Sequence, residues 1–251
     1  MLSSLHVILD PPAEGAWNMA VDEALLIDAA EHGRATLRFY QWSEPTLSLG
    51  YFQRYAERQA HAASLVCPLV RRASGGGAIV HDAELTYALA IPLADARSAP
   101  ELYLLMHDSL IASLSALGVE ARRVGGCAAK EKGPMTHVAK PFLCFERRAS
   151  GDVVAEGAKI AGSAQRRRGT AVLQHGSIML RRSAAAPELP GIFEISGRFL
   201  QPEDLAKAWI AQLAGRGWSL SLPTPLEGQA GALATRICQE KYGSNAWNRR
   251  R

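Results

Sequence analysis

Through the first three quarters of the chain, apolar residues come in short alternating or β-branched bursts, and between these bursts they recur at helical spacing; the two periods predict different elements. HVILD (6–10) predicts a short strand. Pro11, Pro12 and Gly15 then break the chain before Asn18, a residue type suited to a helix N-cap, opens MAVDEALLIDAA. Ala20, Ala24 and Ile27 share one face of that helix with Leu25 nearby, so it packs on something. TLRFYQW and TLSLGYF read as strands, with a hairpin or a bend at Ser43-Glu44-Pro45. A polar helical piece near 56–63 follows, and LVCPLVRR, AIVHD and ELTYALAIP then predict antiparallel strands. Apolar positions 102, 105, 106, 110, 114 and 117 are helically spaced, between Pro100 in a first turn and Gly118 as a C-cap.

Residues 124–140, with three glycines, a proline and little periodicity, read as a mobile loop. DVVA, KIAGSAQRR and AVLQHGSIML, joined at Glu156-Gly157 and Arg168-Gly169, predict an antiparallel meander. A Pro/Gly-rich passage from Ala184 to Gly197 leads to a helix from Pro202 and a last one over Leu226 to Tyr242. Strands with inserted helices and no repeat predict an α+β fold, a single domain over 1–251 with a C-terminal helical portion at about 198–245.

Composition narrows the class. At 48% hydrophobic and 21% charged, the 251 residues are those of an ordinary globular protein. No apolar run reaches the roughly 18–20 residues of a membrane span, and MLSSLHVILDPP is not a secretion signal, so a soluble cytoplasmic protein without a membrane partner is expected. Cys67, Cys127, Cys144 and Cys238 form no Cys-x-x-Cys pair, which suggests neither a disulfide framework nor a metal site. The net charge of +4 is mild for a nucleic-acid partner, but arginines cluster at 166–168, at 181–182 and in the terminal Asn-Arg-Arg-Arg. Such clusters are ordinarily solvated surface; the sharper reading is a docking face for an acidic partner.

RRASGGGAIVHD (71–82) carries the densest chemistry. It is no P-loop, because Ala78, Ile79 and Val80 follow the glycines where a Lys-Ser or Lys-Thr and a helix are required. It is no dinucleotide fingerprint either, for Gly75-Gly76-Gly77 lacks the spacing. A tight turn needs one glycine for its positive φ. Three in a row allow a ligand to lie against bare backbone N–H groups, with Arg71 and Arg72 as cations beside it.

NMAVDEALL (18–26), PTLSLGYFQ (45–53), RRASGGGAIVHD and KIAGSAQRRR…VLQHGSIML (159–180) together resemble the lipoate-protein ligase and octanoyltransferase family, relatives of biotin protein ligase. The resemblance extends over roughly residues 15–180 and implies a mixed, largely antiparallel sheet flanked by helices, with a tunnel for a medium-length acyl chain. It implies that Arg71, Ser74, Gly75, Gly76, Gly77 and His81, with Gly162, Ser163, Ala164 and His175, bind substrate. A lone histidine such as His81 would otherwise be read as a satisfied residue at a strand end, and His175 gains no chemical role beyond lining the site or holding a hydrogen bond. An octanoyl tail at about 0.8 kcal/mol per buried methylene supplies on the order of 5 kcal/mol before ordering costs, so a narrow apolar slot suffices.

By the same resemblance Lys159 lies on the acyl carbonyl, where an ammonium stabilises developing oxyanion charge. Cys144, fifteen residues ahead of it, resembles the acyl-accepting cysteine of octanoyltransferases that form a thioester acyl-enzyme. A free thiol titrates near 8.5, so a nearby cation gives a useful thiolate fraction. The implied reaction takes an octanoyl or lipoyl group from an acyl-carrier-protein thioester to a lysine of a lipoyl domain or glycine-cleavage H protein, without ATP or metal. The alternatives are an ATP- and magnesium-dependent lipoate-protein ligase working through an acyl-adenylate, and a non-catalytic protein that binds lipoyl domains or acyl carriers. Gly151 stands where the family pattern has an aromatic, and Ala158 where a basic residue is usual.

Overall fold

The computed structural model describes residues 4–93, 99–125 and 141–251. Most of the stretch read as a mobile loop, together with Cys127, lies outside the described residues. In chain order the elements are β1 (His6–Leu9), α1 (Gly15–His32), β2 (Thr36–Tyr40), β3 (Thr46–Leu49), β4 (Leu69–Arg71), β5 (Ile79–His81), β6 (Glu84–Pro92), α2 (Ala99–Ala116), β7 (Arg122–Arg123) and β8 (Val153–Ala155). Then come β9 (Ala158–Arg168), β10 (Ala171–Met179), α3 (Ile192–Ser196), α4 (Pro202–Gly215), α5 (Gly228–Ile237) and α6 (Asn245–Asn248).

Seven strands form the main sheet in the order β1-β2-β6-β10-β9-β8-β7, and β4-β3-β5 form a small second sheet. The meander β8-β9-β10 is antiparallel, as its short turns dictate, and β6 continues it. Two pairs are parallel, β1 with β2 and β4 with β3, so the reading of 65–92 as wholly antiparallel is corrected. The choice left open at Pro45 resolves as a bend, since β2 and β3 belong to different sheets.

The main sheet is covered on both faces. Leu37, Phe39, Tyr87 and Leu89 point to one side, where they pack with Met106 and Leu110 of α2 and with Trp209 of α4. Tyr40, Ala88 and Ala90 face the other side, against Met19, Ala20, Ala24 and Leu25 of α1, with Ala234 of α5 joining them. The C-terminal helices thus divide between the two faces. The irregular passage 184–197 also holds α3.

Asn18 is not the helix cap expected from its residue type. The helix starts three residues earlier with Glu14 in extended geometry, and Asn18 is buried on its inner side. There its amide donates to the carbonyls of Ala13 and Gln41, and its Oδ1 accepts from Arg38. A buried arginine needs such acceptors, and Asp10 and Asp22 supply the rest at 2.6 and 2.9 Å.

Candidate active site

A narrow, mainly apolar slot crosses the α1 face of the main sheet. The register puts Tyr40, Thr86, Ser177 and Gly162 side by side on β2, β6, β10 and β9. Four adjacent strands span about 14 Å at ~4.8 Å per spacing. One step along the strands, Arg38, Ala88, His175 and Ala164 form the next row. Met19 and Phe145 line the slot, and Gly75 and Gly76 expose backbone to it from the small-sheet side. Its cavity volume is about 60 Å³.

Cys144 opens a single helical turn, Cys144–Glu146, that docks on the strand after the glycines: its N–H donates to the Ala78 carbonyl at 2.7 Å. The Lys159 Nζ donates toward the Cys144 Sγ at 3.9 Å, and both side chains line the slot. Sequence reading alone did not find the group that aims this lysine. Asp152 accepts Nζ at 2.8 Å, both side chains being buried, and also accepts the Ala149 N–H and the Tyr103 hydroxyl. A Cβ on Gly162 would lie 2.6 Å from the Lys159 Cε, so glycine is required for the lysine to fold back over β9.

The three glycines serve three purposes. Gly75 and Gly76 line the slot, and Gly76 takes φ +100. Gly77 does not line it: a Cβ there would lie 3.3 Å from the Cys144 Cα and closer still to Arg147, so its bareness lets the cysteine turn dock. A Cβ on Gly50 would strike the Gly76 carbonyl, a backbone clash that explains the glycine of TLSLGYF.

Of the two arginines, Arg72 faces the slot and Arg71 does not. Arg71 is buried, and its Nη1 donates to the Gly50 and Gln53 carbonyls. Arg72 donates to Ser48, Gly75 and Gly77, bracing the glycine loop from within. Burial brings its pKa down to about 10, and the charge of neighbouring Cys144 acts in the opposite sense. Alternation of the chain as it leaves β4 decides which arginine looks inward, and spacing could not tell the two apart.

His81 is bonded to Ser48 at 2.6 Å and to Glu84 at 2.7 Å, and stacks on Trp42 at 3.9 Å. Burial lowers its pKa, with Glu84 opposing. His175 donates from Nδ1 to Asp22 at 2.9 Å, and its Nε2 meets the Ser74 hydroxyl at 2.5 Å. Ser74 itself is buried behind the slot wall. Ser163 lines the slot, held by Tyr87 at 2.8 Å and His107 at 2.7 Å. Burial lowers the His107 pKa and raises that of Tyr87 to about 12, so both stay neutral at pH 7. Ala164 completes the wall. Gly151, where an aromatic was expected, has φ +92, and a Cβ there would lie 2.7 Å from the Tyr103 ring. An aromatic from α2 occupies that space.

Solved structures of lipoate-ligase type share this architecture. A T. acidophilum protein, Ta0514, with bound lipoic acid superposes with a TM-score of 0.78 at 21% identity, over 98% of this chain and 99% of that one. A lipoate-protein ligase A bound with ATP gives a TM-score of 0.77 at 19% identity, over 98% of both chains. Likeness in sequence is closer: the chain belongs to the lipoyl protein ligase A/B catalytic domain family, whose pattern matches residues 14–189. Among its relatives are proteins named octanoyltransferase LipM. That of Carboxydothermus hydrogenoformans is 31% identical over 93% of this chain and 94% of its own length; that of Brevibacillus brevis is 32% identical over 94% and 95%.

Proposed function

We propose that this protein is an octanoyltransferase that carries its acyl group as a thioester on Cys144 and delivers it to a lysine of a lipoyl domain. The observation that carries this reading is the 3.9 Å approach of the Lys159 ammonium to the Cys144 sulfur at the side of an apolar slot. The LipM relatives, aligned over nearly the whole chain, support octanoyl transfer. An E2 lipoyl domain is the partner of a bipartite lipoate protein ligase of Thermoplasma acidophilum that shares the fold at TM-score 0.73, in keeping with a lipoyl-domain acceptor.

In the proposed reaction the Cys144 thiolate, with Lys159 and Arg72 as its cations, attacks the carbonyl of an octanoyl thioester on an acyl carrier protein. The carrier sulfur leaves as a thiolate and takes up the proton that Cys144 gave up on ionising. The acyl chain lies across the strands over Ser177 and Thr86, and its carbonyl oxygen faces the Lys159 ammonium, which stabilises the charge developing there. Attack by the acceptor amine then forms the amide C–N bond, breaks the C–S bond and returns Cys144. Thioester to amide is downhill, so the route requires neither ATP nor metal.

Octanoyl-loaded carrier protein, incubated with the enzyme without ATP, should yield a hydroxylamine-sensitive octanoyl adduct by intact mass, absent from Cys144→Ala. If Cys144→Ala retains full activity while octanoate with ATP and magnesium drives pyrophosphate exchange, the enzyme is a ligase. Tight lipoyl-domain binding with no transfer under either condition would make it a binding protein.

A further inference from the structure

Two further cavities adjoin the acyl slot. A second cavity, of about 250 Å³, is bordered by Asp22, Glu23 and Arg166–Arg168 and shares Met19 and His175 with the slot. A third, an open groove of about 600 Å³, is lined by Phe52, Gln53, Glu57, Gly76, Phe142 and Arg147 and shares Gly76 with the slot. We propose that this groove, with the arginine-ringed Phe52 at its mouth, is the donor's entrance: an acidic acyl carrier protein docks there and passes its pantetheine arm over Gly76 to Cys144.

The surface at the mouth is short of negative charge. Phe52 is a large aromatic, yet it is 69% exposed. Arg251 lies over its ring at 5.5 Å and over the Tyr51 ring at 5.3 Å. Arg250 lies over Tyr51 at 4.5 Å and donates to its hydroxyl at 2.9 Å. Among the described residues no carboxylate forms an ion pair with either arginine. The hydrogen bond and charge of Arg250, joined by the charges of Arg251 and Arg166, bring the Tyr51 pKa down, as an excess of cations does. Arg166 stands 5.6 Å from the same ring, so the positive face runs on to β9. Glu57 is the one carboxylate among the described lining residues of the groove. An exposed aromatic among unpaired arginines has the composition of a docking site, and its charge calls for an anionic partner.

Reach distinguishes the donor from the acceptor. Phe52 lies 3.9 Å from the position a Cβ would take on Gly75, and a Cβ on Gly77 would lie 3.3 Å from the Cys144 Cα. Those two glycines are at most about 7 Å apart, so Phe52 and Cys144 flank the same short loop. A pantetheine arm of about thirteen bonds from phosphorus to sulfur spans ~15 Å at extended-chain spacing, enough to cross the loop with its phosphate still among the arginines. A lysine side chain extends only ~6 Å, little more than one ~4.8 Å backbone spacing, so a lipoyl-domain lysine docked at Phe52 falls short of the sulfur. Inside the groove the Arg147 Nε is buried without a partner. A buried N–H requires an acceptor, and an amide carbonyl of the entering arm supplies one. Charge and reach together select the carrier for this face and leave the cavity beside Met19 and His175 to the lipoyl domain.

The proposal rests on the thioester reading, and half-reactions keep the two apart. Loading of Cys144 is followed by intact mass from octanoyl carrier protein and from octanoyl-N-acetylcysteamine, which has the sulfur end of the arm but neither phosphate nor protein. Discharge of the loaded enzyme to lipoyl domain is followed separately. Arg250→Glu with Arg251→Glu, and independently Phe52→Glu, should slow loading from subsaturating carrier protein at least ~10-fold, the low end of electrostatic steering. The deficit should shrink in salt, while loading from the small thioester and discharge to lipoyl domain are spared. Unchanged loading from the carrier, or equal losses with both donors, would overturn the proposal. A loss confined to discharge would also overturn it, by making this face the acceptor's. Failure of wild type to load from either donor would refute the thioester reading itself, and this entrance with it. Should the arginine variant not fold, Phe52→Glu decides alone, because that ring is mostly exposed.

Discussion

Asp152 and Gly162 show how much of the site depends on single residues, and Asp152 is one that no motif singles out. Breaking a buried ion pair from one side leaves an uncompensated charge and costs about 3–5 kcal/mol. Asp152→Asn should therefore lower the unfolding free energy by that order, measured in urea, and slow acyl transfer. Asp152→Asn combined with Lys159→Met should regain most of the stability and none of the activity. Gly162→Ala probes the same lysine differently. Its Cβ would meet the flexible far end of Lys159 rather than backbone, so the fold should persist while loading of Cys144 falls at least tenfold. Intact-mass kinetics beside a thermal melt would check both. Cys144 and Lys159 were legible as a pair because the family pattern spaces them; Asp152 was not, because an aspartate at a strand entry has many ordinary uses.

At the scale of elements, β9 and β10 carry most of the chemistry, and their alternation explains which residues of KIAGSAQ and VLQHGSIM reach the slot. Gly162 and Ala164 face it beside Ser177 and His175, whereas Gln165 turns to Gln174 at 2.8 Å on the other face. Ser163 also belongs to that other face and reaches the slot past Gly176, where a Cβ would strike its hydroxyl. The exposed end of β9 bears Arg166, Arg167 and Arg168 around the second cavity. Charge reversal there should raise the KM for an acidic lipoyl domain and spare loading by small acyl thioesters, an effect that weakens with salt. An unchanged KM would mark these arginines as solvated surface. The terminal arginines differ from the expectation for a solvated run. Arg250 bonds the Tyr51 hydroxyl at 2.9 Å, and Arg251 lies over Tyr51 and Phe52.

For the molecule as a whole, burial of neutral histidines ties stability to pH. Burial lowers the pKa of His81 and His107 below the ordinary value. The unfolded chain therefore binds more protons once pH drops below ~6.5, and stability present above that value is lost as pH falls toward the folded-state pKa values. The urea midpoint should be lower at about pH 5.5 than at about pH 7.5, and His107→Gln should narrow the gap if the linkage runs through that ring.

Local rules were enough to read the helix of residues 99–116 and the meander, and to mark a break in the chain at Pro45, because helical spacing, strand alternation and turn residues act over a few positions. The family resemblance named the glycines and Cys144 as parts of one site without saying how they meet. Only the packed structure decided that Arg72 rather than Arg71 faces the slot, that Asn18 serves a buried arginine instead of a helix end, and that Asp22 reaches His175 across 153 residues. Buried charges and polar groups must find partners wherever the fold brings them, and those partners lie far away along the chain, beyond the reach of any local pattern.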